Sequence, residues 1–220
     1  MSVSARHYTN EYVSALTHLF GWGLSVAGLT LLVYRAAVAG GAWHVVSFSI
    51  FGASLIFAYS VSFLYHIFSF EHPKKNLLRR FDHALIYVLI AGTYTPVTLV
   101  PLRGGWGWSI FGAVWGAALL GIIWKLAGFN MSKWLSSVAY LLMGWLVVIA
   151  IVPLLHAISL PAFWWLLSGG VCYSAGVIFF GLETVVRPRR WFGMHEIFHL
   201  LVMAGSLCHW WTMYHYVAFY

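Results

Sequence analysis

Seven apolar stretches, each long enough to cross a bilayer as a helix, fill this sequence from residue 16 to residue 217. A hydrocarbon layer about 30 Å thick needs roughly 20 apolar residues at helical rise. The stretches cover about 16–38, 46–69, 82–101, 107–127, 134–155, 162–182 and 195–217. Between them lie only short, turn-like breaks: "AGGAW", "EHPKKNLLRR", "PLRGGW", "GFNMSK", "HAISLP" and "TVVRPRRWFG". No room remains for a soluble domain or a linker. The pattern predicts an all-α polytopic membrane protein, one bundle of seven transmembrane helices spanning residues 1–220.

Composition agrees. The chain is 62% hydrophobic and 8% charged, against roughly 25% charged in a soluble domain. With so few charges, the formal +7 does not describe a nucleic-acid surface; it needs a topological explanation. Arg6, Lys74, Lys75, Arg79, Arg80, Lys125, Lys133, Arg187, Arg189 and Arg190 fall on one side of the expected bundle, and only Arg35 and Arg103 on the other. The positive-inside rule then places the N-terminus in the cytoplasm and the C-terminus outside. The N-terminal "MSVSARHYTNEYVSALTH" has no apolar core ending in a small-residue cleavage site, so the first span is expected to be the insertion signal. Cys172 and Cys208 lie in apolar runs and read as buried thiols, not as a disulfide framework.

Ionisable groups are costly inside a bilayer and are expected to face partners. Ser62 and His66 in "SFLYH" are four apart, hence on one helix face. His195 and His199 repeat that spacing in the opening turns of the seventh span. Asp82, the only aspartate, opens the third, where a helix-capping role is the simplest reading. In this topology all five residues fall at one depth near the cytoplasmic end, contributed by three helices. Three imidazoles with one open position make a catalytic zinc geometry.

"HEIFH" at 195–199 also matches the H-E-x-x-H pattern of zinc metalloproteases. Those enzymes need a third ligand, usually downstream, and no Asp or Glu follows Glu196; position 205 is Gly205. His209 lies ten residues past His199, about 15 Å along the helix. Glu183 keeps a protease reading open as an upstream ligand, but His66 is the better third ligand. Glu196 points about 100° off the 195/199 face. His7, His44, His72, His156, His209 and His215 are expected at the membrane surface or interface, and His83 to face away from the cluster. Glu11 and His18, two turns apart, read either as a closure over the cytoplasmic mouth or as surface capping. Gly169, Gly170, Gly176 and Gly181 are expected to allow close helix packing.

These motifs resemble the hemolysin III family, which is related to the progestin and adiponectin receptors and to alkaline ceramidases. The family's S-x-x-x-H, aspartate and H-x-x-x-H are matched by Ser62 with His66, by Asp82, and by His195 with His199, and "NEYVSALTH" is similar to its lead-in through Glu11 and His18. The resemblance covers nearly the whole chain and implies a bacterial inner-membrane protein. It also implies a zinc ion held by His66, His195 and His199, with Asp82 holding the attacking water and Ser62 supporting the site. The expected activity is zinc-dependent hydrolysis of a membrane lipid amide or ester near the cytoplasmic leaflet. A receptor with structural zinc, and a channel, transporter or haemolysin-like pore, stand as the other readings.

Overall fold

The computed structural model describes residues 3–68, 74–129, 132–183, 185–186 and 192–220, with backbone alone over 3–10. The side chains of Arg6 and His7, and all of His72, Arg187, Arg189 and Arg190, lie outside the described residues. The chain forms α1 (Val3–Ala39), α2 (Ala42–Ile67), α3 (Lys75–Leu99), α4 (Gly105–Leu126), α5 (Lys133–Gly144), α6 (Ile151–Ala157), α7 (Leu160–Leu182) and α8 (Met194–His215). Successive helices pack side by side, α1 on α2, α2 on α3, α3 on α4 and α7 on α8. α5 bridges α3 and α7, and α8 returns against α1 to close the ring.

Five stretches are long and apolar enough to cross a membrane: Glu11–Ala39, Ala42–Ile67, Gly105–Leu126, Lys133–Ala157 and Leu160–Leu182. The protein is a polytopic helical membrane bundle. α3 and α8, with 25 and 22 residues, have the length but carry more polar side chains. They are also the helices that bring Asp82, His195 and His199.

Two boundaries differ from expectation. The fifth apolar stretch is not one helix: α5 ends at Gly144, a 3-10 segment runs over Leu146–Ala150, and α6 resumes at Ile151. Pro153 explains the break, because it cannot donate to the Ile149 carbonyl and its ring crowds that oxygen. α3 begins at Lys75, seven residues before Asp82. Leu, Lys and Arg are good helix formers, so "KNLLRRF" extends the helix, and Asp82 sits two turns inside it. The helix-capping reading of Asp82 is therefore wrong.

Two apolar clusters hold the ring together. Leu32, Phe48, Phe51, Leu55, Leu89 and Met213 join α1, α2, α3 and α8; Tyr87, Ile110, Val114, Tyr140 and Met143 join α3, α4 and α5. Between these clusters the helices line a partly open cavity of about 220 Å³, mostly apolar, whose wall includes Asp82, His195, His199, His209, Phe163 and Leu166.

Candidate metal centre

His66 ends α2, and His195 and His199 occupy the first two turns of α8. One ring nitrogen from each lies within 4.8 Å of the others, in a buried cluster able to hold a metal ion. The outer face of each ring explains how it is aimed. Glu11 Oε2 on α1 lies 3.3 Å from His66 Nδ1. A carboxylate only accepts, so His66 Nδ1 carries the proton and its Nε2 is a bare lone pair. Thr17 Oγ1 lies 3.1 Å from His199 Nδ1. The single Thr17 hydroxyl proton goes to the Ser14 carbonyl at 2.8 Å; Thr17 therefore accepts from His199, leaving His199 Nε2 bare as well. Glu183 Oε2 stands 3.5 Å from His195 Nδ1, an ion-pair distance without hydrogen-bond geometry.

These assignments turn the inner nitrogens toward one another. His66 Nε2 and His195 Nε2 are 3.2 Å apart. If Glu183 holds the His195 proton on Nδ1, two lone pairs face each other, which is unfavourable without a cation to receive them. Two nitrogens bound about 2.0–2.1 Å from a tetrahedral zinc lie about 3.3 Å apart. The residues present thus fit a metal ion, and the outer partners of His66 and His199 match the pattern in which a ligating imidazole gives its other N–H to a carboxylate or oxygen.

The neighbouring acids separate cleanly. Glu196 is buried, with Oε1 accepting from Ser14 Oγ at 2.6 Å and Oε2 from the Gly193 backbone N–H at 2.7 Å. It caps α8 and ties it to α1. Glu183 ends α7 and pairs with Lys133 Nζ at 3.2 Å. Burial opposes its ionisation, but its contacts with His195 and Lys133 outweigh this and hold its carboxyl down at about 2. Asp82, half-buried, and Ser62, buried, line the same cavity as His195 and His199.

Several histidines differ from expectation. His209 is buried, not interfacial; it lines the cavity and stacks on Tyr173 at 5.3 Å. Gly169 makes that possible, since a Cβ there would lie 2.5 Å from His209 Nε2. Gly170 and Gly181, by contrast, face open space and serve no close packing. His83 does not turn away: it lines the cavity and meets Phe180 edge-on at 6.1 Å. His44 is also buried, its Nδ1 accepting from the Gly41 N–H at 3.1 Å to cap α2. Of the two readings open for Glu11 and His18, the structure favours closure over the cluster and not surface capping, since Glu11 meets His66 and His18 is buried against His199. His18 stacks on His199 with ring centroids 3.6 Å apart and planes within 7°, and it lines the cavity. Both its nitrogens are buried with no hydrogen-bond partner among the described residues.

A family model described as "Haemolysin-III related" matches residues 6–210. The chain is 42% identical over 211 residues to a protein of Bacillus subtilis (strain 168) called "Hemolysin-3 homolog", covering 96% of this chain and 93% of that one. It is 41% identical to "Hemolysin-3" of Bacillus cereus, covering 89% and 86%. A human protein called "Monocyte to macrophage differentiation factor" is 27% identical over 96% of this chain and 84% of its own.

Proposed function

The chain belongs to the haemolysin-III-related family, and from that premise and the histidine cluster we propose that it is a zinc-dependent membrane hydrolase acting on a lipid amide or ester. It is a multi-pass protein of the bacterial inner membrane. One observation carries the reading: two histidines of a three-histidine cluster able to hold a metal, His195 and His199, line an apolar cavity whose wall also holds Asp82 and Ser62.

His66, His195 and His199 would hold the ion. Three imidazoles without a thiolate suit zinc among the common metals, and a three-ligand set leaves a position open for reaction. Bound zinc supplies Lewis acidity toward a carbonyl and an attacking water. Asp82 would orient the attacking water, take its proton and return it to the leaving amine or alcohol as the C–N or C–O bond breaks. Ser62 donates a hydrogen bond to the developing oxyanion or steadies a ligand histidine. The apolar wall from Val202 to Phe163 holds an acyl chain, with its carbonyl at the histidine end.

The single domain carries seven spans in this reading, α3 and α8 joining the five apolar ones. The N-terminus is cytoplasmic and the C-terminus outside. Lys74, Arg79, Arg80 and Lys133 support this orientation: all are exposed at the end of the bundle that holds the histidines. The scissile bond therefore sits near the cytoplasmic headgroups, the depth at which a membrane lipid presents its carbonyl.

The test is a panel of acyl amides and esters presented to purified protein in bilayers, with chelated protein as the blank. Turnover is expected, lost on chelation. Asp82→Asn keeps the shape but cannot take the proton; it should lower turnover by roughly 10²–10⁴ with zinc still bound. No turnover across the panel at full zinc occupancy would contradict the hydrolase and favour a receptor with structural zinc.

A further inference from the structure

Lys75 was expected to be one of the surface charges that orient the bundle, yet its side chain is buried. Its ammonium meets Glu11 Oε2 at 2.7 Å, the Phe68 carbonyl at 3.0 Å and the Tyr65 carbonyl at 2.5 Å, and it lies 4.3 Å from the Tyr65 ring centroid. Among the described residues, these give three acceptors to a group with three protons. Two of them are carbonyls at the C-terminal end of α2, on either side of His66. The third is the carboxylate that faces His66 Nδ1 at 3.3 Å.

We propose that Glu11, anchored by Lys75, is a positioning residue for the metal centre: the pair fixes His66 as the tautomer whose Nε2 is free to ligate. Three helices converge to build it, with Glu11 from α1, His66 from α2 and Lys75 from α3. A buried ion pair is a weak source of stability, since its desolvation cost rivals its attraction. Its value here is geometric. Lys75 fixes the carboxylate and the backbone on both sides of His66, so the ring has one orientation before any ion arrives. Carboxylate partners of ligating histidines change metal affinity by about 10–100-fold.

The inference rests on the zinc reading, and the experiment separates the two. Full-length protein in detergent is titrated with zinc against a chromophoric chelator, and with cobalt while its visible ligand-field spectrum is recorded. Glu11→Gln is expected to weaken zinc binding about 10–100-fold and to shift the cobalt spectrum. Lys75→Met should weaken it in the same direction. The double variant should lose little more than Glu11→Gln alone, because the two residues act as one unit. Ser14→Ala is the control on the same helix: it removes the contact with Glu196, leaves Glu11 in place and should retain parental affinity.

If the parent itself binds no zinc, the metal reading fails and this inference with it. If the parent binds zinc and Glu11→Gln stays within three-fold with an unchanged cobalt spectrum, the positioning role alone is overturned. Equal losses in Glu11→Gln and Ser14→Ala also overturn it, pointing to general loosening of α1. Should Glu11→Gln not fold, Lys75→Met decides, and parental affinity there refutes the pair.

Discussion

Glu196 sits between the two histidines of the H-E-x-x-H pattern, where a metalloprotease keeps its base, yet it serves the backbone. Both its oxygens are occupied, by Ser14 and by the Gly193 N–H. Glu196→Gln keeps an oxygen for the Gly193 N–H and turns its amide toward Ser14 Oγ, which can accept, so both buried hydrogen bonds remain but lose their charged partner. The expected cost is about 1–3 kcal/mol of stability, read as a lower unfolding temperature, with zinc content unchanged. Loss of zinc at parental stability would return Glu196 to the metal site. His66, His195 and His199 were legible in the sequence because i, i+4 spacing fixes a helix face. Thr17 was not: its contact with His199 spans 182 positions, and no local pattern marks it. His209 was misread because a histidine near a span end looks interfacial unless the facing helix makes room. Gly169 makes that room, and only the packing of α7 on α8 shows which glycine meets which side chain.

At the scale of helices, apolar length located the elements but not their ends or interruptions. "KNLLRRF" reads as a charged turn and folds as the first two turns of α3. That moves Asp82 from a helix end to a helix interior, where it meets the cavity. Pro153 breaks the fifth stretch into α5 and α6, a boundary that residue-by-residue hydropathy passes over. The corrections touch the charge argument too, since Lys75 and Lys125 are buried, the latter donating to Ser136 Oγ at 2.6 Å. Orientation then leans on Lys74, Arg79, Arg80 and Lys133 against Arg35 and Arg103. Reporter fusions after Tyr220 should be active outside and silent in the cytoplasm. The reverse pattern would invert the bundle and move the histidine cluster to the outer leaflet.

Across the whole molecule, a ring of apolar helices surrounds a set of buried polar groups, and many of the ionisable ones gather around the histidine cluster. α1 contributes Glu11, Ser14, Thr17 and His18 there. α2 and α8 contribute the histidines, α3 contributes Asp82 and Lys75, and α7 contributes Glu183 at its end. The first helix holds the outer faces of His66 and His199 and stacks on the latter. This arrangement makes sense if the cluster holds a cation, because one ring nitrogen from each of three histidines gathers at one point. The most direct test is elemental analysis of purified protein beside its His66→Ala, His195→Ala and His199→Ala variants, with His209→Ala as the control from deeper in the same cavity. The account predicts about one zinc per chain in the parent and in His209→Ala, and a large loss in each of the other three. Zinc retained at parental level in His66→Ala would contradict it.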